Sequence, residues 1–319
     1  MKLVVFGGGK GQSALLKGLK LIDELEISAI VTVADDGGST GRLREEFSIP
    51  AMGDIRNVML SLAESENLLS QMMNYRFEST SRSSLAGHNL GNLIFTALAD
   101  TSGDFMGAIS QLSEVLNVKG RIIPASTELI TLCARMTDGT IVRGESNIPM
   151  YDNAIDKVYY DVPVSATEEA ITAIEEADVI LMGVGSIYTS ILPNLIIPEI
   201  YDAVHKSTAK KIYYCNAMTQ AGETDGFSGE DHVNALIKHT DVNIDVVVYA
   251  IDTIPEDVRL RYVQERSFPV SFLSEDHTYK IVKQEALTFE DNIIRHDPMK
   301  IKNGFAKVLE VAGCPLVAK

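Results

Sequence analysis

Apolar residues gather along this chain in short runs, separated by glycine turns and by stretches of helical period. Residues 2–6 (KLVVF) form an apolar run of strand length, and glycines follow at once. Over residues 12–20, Leu15, Leu16 and Leu19 recur on one face of a helix. Residues 27–33 (ISAIVTV) are a second, β-branched run. Strand, glycine turn, helix, strand is a βαβ opening, and it pairs the two strands in parallel. Residues 54–99 keep a helical period, with a polar break at 78–87.

The pattern then changes. Residues 130–136 and 141–143 flank Thr137-Asp138-Gly139-Thr140, and Asp-Gly between two such runs is a hairpin signal. Residues 121–163 therefore read as a mainly antiparallel insertion, bounded at about 119–163. The α/β rhythm returns with helix 167–176 before strand 178–182. Helix 197–206 precedes strand 212–215, helix 231–239 precedes strand 245–250, and 301–309 reads as a closing helix. This alternation predicts an α/β, Rossmann-like fold: a mainly parallel sheet, helices on both faces and a small antiparallel β insertion. With no internal repeat and no low-complexity linker, the 319 residues read as a single domain.

Charge narrows the partners. The net charge is −16, so a broad basic face for nucleic acid or for an anionic membrane is not expected. No apolar stretch reaches membrane-spanning length, and the apolar run after Met1 is too short for a signal peptide. Cys133, Cys215 and Cys314 are odd in number and widely spaced, which reads as reduced thiols in a reducing compartment. A cytoplasmic location is the expectation. The expected partner is a nucleotide-type small molecule, and a homo-oligomer is left open.

The glycine turns carry the candidate chemistry. In Gly7-Gly8-Gly9-Lys10-Gly11-Gln12-Ser13-Ala14, the residues Gly9, Gly11 and Ala14 satisfy G-x-G-x-x-A between a strand and a helix. Such a turn brings backbone and helix N-terminal N–H groups close to a phosphate. It is not a Walker A loop. A tight βα turn with no ligand would also explain it. A second turn, Gly183-Val184-Gly185-Ser186-Ile187-Tyr188-Thr189-Ser190, again follows an apolar strand. Its hydroxyls Ser186, Thr189 and Ser190 suit phosphate oxygens, or cap a helix. Two such turns converging outside the strand ends favour a diphosphate.

Asp35-Asp36-Gly37 follows the second strand. Either carboxylate would hold a ribose diol, the pair would hold Mg²⁺, or the segment is an Asx-turn that needs no ligand. Arg42 and Arg44 are candidates for phosphate pairing. His88, Asn89 and Asn92 read as polar pocket lining or as helix capping, and no Gly-x-Ser-x-Gly elbow accompanies them. Pro298 reads as ending regular structure just after Arg295-His296-Asp297.

Several blocks together resemble one family: VTVADDGGSTGRLR from Val31, GDIRNV from Gly53, GHNLGN from Gly87, GSIYTSILPNL from Gly185, CNAMTQAGET from Cys215, and IRHD from Ile294. In order along the chain they resemble the gluconeogenesis-factor branch of the CofD-like family, which also contains 2-phospho-L-lactate transferase. The resemblance implies binding of nucleotide sugars such as UDP-N-acetylglucosamine. It also implies a cytoplasmic role in cell shape and wall synthesis under gluconeogenic growth. For the transferase branch it implies phospholactyl transfer with Mg²⁺ and release of GMP. Carried over, Gly8, Gly9, Gly11, Asp35, Asp36 and Asn216 would form the nucleotide pocket, with Arg295 on the ligand's anionic part. Lys10 and Gly183 of the two glycine turns, and Gly37, Asn57 and Gly185 of these blocks, complete the expected site. Lys10 stands where relatives often have Thr, and Pro298 where some have Thr. DDGGSTGRLR is closer to the regulatory branch. A ligand-binding regulatory factor leads, a diphosphate-dependent transferase follows, and an NAD-dependent dehydrogenase ranks last for want of an acid/base constellation.

Overall fold

The computed structural model describes residues 1–64, 67–80 and 83–316. In chain order the strands are β1 (Lys2–Gly7), β2 (Glu26–Val31), β3 (Arg121–Pro124), β4 (Leu132–Met136), β5 (Ile141–Arg143) and β6 (Ile155–Tyr160). They continue with β7 (Val179–Met182), β8 (Lys210–Tyr214), β9 (Val246–Ala250), β10 (Lys280–Gln284), β11 (Leu287–Thr288) and β12 (Arg295–His296). The helices are α1 (Gly9–Leu19), α2 (Gly38–Phe47), α3 (Gly53–Leu62), α4 (Asn67–Asn74), α5 (Leu90–Ser102) and α6 (Phe105–Val115). After them come α7 (Glu168–Glu175), α8 (Leu192–Leu195), α9 (Pro198–Lys206), α10 (Gly229–Thr240), α11 (Glu256–Gln264) and α12 (Pro298–Ala312).

Seven strands form one sheet in the order β10-β9-β8-β7-β1-β2-β3, with every neighbouring pair parallel. The central strands are apolar along their length because both faces are covered: Leu3, Val4, Val5 and Phe6 are buried, as are all residues of β7. From β1 the chain steps through α1 to β2, and later from β7 through α9 to β8 in the opposite direction. Right-handed crossovers then place α1 and α9 on opposite faces. Helix α1 packs against α3 and α12, and α7 against α9. Leu15, Leu16 and Leu19 of α1 are fully buried, each stabilising the fold by about 2 kcal/mol. The strand order reverses between β1 and β7, and that junction is where a doubly wound sheet opens a crevice for ligands.

The hairpin at Thr137–Thr140 is present, with Ala134 paired to Val142 and Gly139 at φ +87°. It belongs to a three-stranded antiparallel sheet, β5-β4-β6. The boundary of the insertion needs correcting. Residues 121–124 pair in parallel with β2, Ser28 with Arg121 through Val31 with Pro124, so they close the main sheet rather than open the insertion. An apolar run this short carries no mark of its partner's direction. Pro298 also corrects an expectation: it starts α12 instead of ending structure. Asp297 caps that helix, its Oδ1 accepting from Met299 N (2.8 Å) and Lys300 N (3.0 Å), and proline fits the first helical turn, where no N–H acceptor is needed. The helical stretch 54–99 is α3, α4 and α5, with residues 65–66 and part of its polar break, residues 81–82, outside the described residues. Cys133 and Cys215 are buried free thiols and Cys314 is half-buried. Among the described residues, no helix is long and apolar enough to cross a membrane.

Candidate functional site

The turn after β1 and the turn after β7 meet at the switch point. A Cβ on Gly11 would lie 2.8 Å from Gly185 Cα and closer still to Val184 O, so only glycine lets the second turn lie on α1. Buried Asn194 ties the pair together, its Nδ2 donating to Gly7 O (3.0 Å) and Ser190 O (2.8 Å). Between the turns is a crevice of about 430 Å³. Gly8 to Gly11 form one wall, Val184 to Ser186 another, and Asn216, Tyr262 and His296 face them. Helix α1 begins at Gly9 after Gly8, which has no side chain to cap it; Gly9 N–H is held by Asp54, and the rest of the helix's positive end borders the crevice at Lys10 and Gly11. Lys10 is exposed at this mouth and makes no ion pair among the described residues. A groove of about 460 Å³ also lies at the other end of the strands, but its Lys2 is spent on Glu176 (2.9 Å). Ligands of such sheets bind at the carboxyl ends of the strands.

The second turn's hydroxyls are already engaged. Ser186 Oγ accepts from Thr189 N (2.9 Å) and donates to Glu223, while Thr189 hydrogen-bonds Glu145 and Glu223. Ser186 is thus a helix cap and Thr189 a partner of the two glutamates, while both, with Ser190, still line the crevice wall. Asn216 Nδ2 donates to Gln220 Oε1 (3.1 Å), and its Oδ1 faces Gly185 N (3.5 Å). Gly183 and Gly185 hold φ of +89° and +144°, the backbone that makes the turn.

Beneath the first turn lies a group of carboxylates. Gly8 makes room for Asp54, whose Oδ2 would stand 2.6 Å from a Cβ there. Gly9 N–H donates to Asp54, yet burial and the neighbouring Asp35 push its carboxyl up to about 7. Burial likewise raises Asp35, which accepts from Gly37 N (2.9 Å) in an Asx-turn. Glu145, from the β insertion, is pushed up to about 8 by burial and by Asp35 and Asp54. Burial brings Glu223 to about 7. Asp36 points away from this group. Its Oδ1 accepts from Ser146 N (2.9 Å) and its Oδ2 from Glu145 N (3.1 Å), so it fastens the insertion beside the crevice. Asp35 and Asp54 are near enough for the charge of Asp35 to raise the Asp54 carboxyl. Their oxygen donors fit Mg²⁺, which takes one or two carboxylates and fills its shell with water and phosphate.

The family model described as 2-phospho-L-lactate transferase CofD matches residues 3–288. This chain belongs to the CofD family. A gluconeogenesis factor of Halalkalibacterium halodurans is 45% identical over 307 residues, 94% of each chain. One of Bacillus subtilis is 43% identical over 314 residues, 97% of this chain and 98% of its own. A crystal structure of a Bacillus halodurans protein superposes with a TM-score of 0.90 at 43% identity, covering 95% of this chain and 98% of that one. The branch that the sequence motifs resemble is therefore the branch in which these relatives are named.

In this CofD-family chain the remaining expected residues divide. Asn89 is the N-cap of α5, its Oδ1 accepting from Asn92 N (3.1 Å), and Asn92 Nδ2 reaches Ser39 and Thr40 of α2 (both 3.4 Å). His88 Nδ1 lies 3.1 Å from Ser39 Oγ. These residues tie α5 to α2 and do not line the crevice. Arg42 Nη2 donates to Ala86 O (2.9 Å), Arg44 donates to Ile130 O, and Asn57 Oδ1 accepts from Arg56 Nη2 (2.6 Å). Arg295 is exposed, flanked by Ile294 and His296, which line the crevice. The expected rival for its guanidinium, Asp297, is occupied as the α12 cap. Burial pulls the His296 imidazole down to about 4, leaving a neutral ring in the wall.

Sequence reasoning missed Asp54, Glu145, Glu223 and His296. Asp54 and His296 stood inside blocks that were quoted for their neighbours. Glu145 sits in a loop with no motif, and only the docking of the insertion brings it to Thr189.

Proposed function

We propose that this protein binds a nucleotide diphosphate of the nucleotide-sugar class, represented by UDP-N-acetylglucosamine. In this reading it serves in the cytoplasm as a gluconeogenesis factor that supports cell shape and wall synthesis under gluconeogenic growth. The observation that carries the ligand class is the contact of Gly11 with Val184 and Gly185, which sets two glycine turns around one crevice. The diphosphate lies over the start of α1, paired with Lys10 and, at the rim, Arg295. Asn216 and Gln220 present amide groups for the base or sugar. Asp35 and Asp54 hold Mg²⁺, which would offset the charge of the diphosphate when bound. The names of the relatives support the role.

A transferase acting at a nucleotide diphosphate is the second reading, favoured by the family model's description and by the Asp35–Asp54 pair. There the N–H groups of the first turn would stabilise charge developing on the leaving phosphate. Calorimetry with UDP-sugars, GDP and NAD separates these readings. Heat with UDP-N-acetylglucosamine and no turnover supports the factor, and nucleotide monophosphate release supports the transferase. No heat with any of them at millimolar ligand sinks both.

A further inference from the structure

Arg56 of α3 is 6% exposed, and among the described residues only its Nη2 has a partner, Asn57 Oδ1 at 2.6 Å. Its Nε and Nη1 are buried with no hydrogen bond. A buried, unsatisfied guanidinium is costly, and folded proteins retain one where something else completes it. The side chain lies on the first turn of α5: a Cβ on Gly91 would come 2.8 Å from Arg56 Cδ. Helix α5 has 13 residues and presents its positive end there. Leu90 N donates to Tyr75 O and Asn92 N to Asn89, whereas Gly91 N has no intrahelical acceptor by its position.

Two more arginines stand at the same end of α5. Arg76 Nη1 donates to Gly87 O (2.8 Å), and Arg42 Nη2 donates to Ala86 O (2.9 Å). A Cβ on Gly87 would lie 3.3 Å from Arg42 Nη2. Both side chains are exposed, and each gives one donor to a neutral carbonyl. Among the described residues no carboxylate pairs with Arg42, Arg56 or Arg76, in a chain with 44 acidic and 28 basic residues.

We propose that the start of α5, with Arg56 as floor and Arg42 and Arg76 as rim, is a second anion site that takes the phosphate group of a second small molecule. It is separate from the glycine crevice, whose walls include none of these residues, and does not depend on what that crevice binds. Three guanidinium forks and a helix N-terminus suit a dianionic phosphate, whose oxygens accept paired N–H donors. Asp54 and Arg56 are two residues apart on α3. A phosphate here and a nucleotide in the crevice would therefore be neighbours.

The test uses the full-length protein and inorganic phosphate, with and without saturating UDP-N-acetylglucosamine. Phosphate binding is read by the rise in melting temperature and by phosphorus NMR line broadening. Phosphate should bind in both conditions. Arg42→Ala/Arg76→Ala changes only exposed side chains and should weaken phosphate at least about tenfold. Arg56→Lys should do the same, because lysine has no fork. Equal phosphate affinity in wild type and in the double variant overturns the proposal, as does acetate binding as well as phosphate. Nucleotide binding without a phosphate response rejects this site alone. A phosphate response without nucleotide binding rejects the nucleotide reading alone.

Discussion

Gly11 of α1 and Val184 of the turn after β7 are in direct contact, with no space for a side chain between them. The crevice exists because of that contact. Gly11→Ala would force the two backbones apart, at about 1–3 kcal/mol for overpacking a closed contact. The expected outcome is a lower melting temperature together with loss of nucleotide heat in calorimetry. A variant that keeps both would show that the turns are not set by this approach.

The carboxyl group beneath the first turn predicts the pH response of the ligand-free protein. Asp54 and Glu223 keep their protons up to about 7 and Glu145 up to about 8. In the unfolded chain these groups release protons near about 4. The folded state therefore binds more protons than the unfolded state between those limits, and stability falls as pH rises through them. His296, held at about 4, acts in the opposite sense, but only below the ordinary histidine value of about 6.5. From about pH 6.5 to 8.5 the melting temperature should fall. Glu145→Gln should flatten the upper part of that profile and raise the melting temperature at its alkaline end. A melting temperature that climbs across this window contradicts the assignment.

Asp36 and Asp54 should separate in their effects. Asp36→Asn weakens the hold on Ser146 N and Glu145 N, costing about 1–3 kcal/mol of stability and leaving the Mg²⁺ dependence of nucleotide binding in place. Asp54→Asn should keep the fold and reduce that dependence. Isothermal titration with and without EDTA, beside thermal melts, decides it. A loss of Mg²⁺ dependence in Asp36→Asn instead would return the metal to the first reading of the acidic turn.

Arg295 makes no ion pair among the described residues and is exposed, so Arg295→Ala has no internal partner to lose. Its melting temperature should match wild type. Nucleotide-sugar affinity should fall at least about tenfold, the worth of a charge-assisted hydrogen bond, with Arg295→Lys restoring only part. An unchanged affinity removes Arg295 from the ligand's surroundings and leaves His296 as that segment's contact.

The parallel architecture was legible because its signals are local. The run 2–6, the glycines after it and the leucine face of α1 define one βαβ unit wherever they occur. Asp138-Gly139 likewise announces its hairpin without help from the rest of the chain. Residues 121–124 were misplaced because a run as short as Arg121-Ile122-Ile123-Pro124 fits a strand of either direction, and only the docking against β2 decides. Asp54, Glu145 and Glu223 were missed for a different reason. With Asp35, which the acidic turn did announce, they come from four separate stretches, and no spacing relates them until the sheet closes. Asp36 shows the converse. Its place in a motif drew it into the expected pocket, while its partners, Glu145 N and Ser146 N, lie more than a hundred residues away.

The fastening of the insertion by Asp36 also divides the ribbon into parts with different tolerance for change. The tip at Asp138 and Gly139 is exposed and far from the clasp, so a peptide tag or a fluorescent domain spliced there should be carried without disturbing the crevice. One residue added between Arg143 and Ser146 would slide Glu145 off Thr189 and the clasp off Asp36 together. The hairpin tip is therefore the attachment point for a reporter, and the segment just after β5 is where an engineer must keep the count of residues.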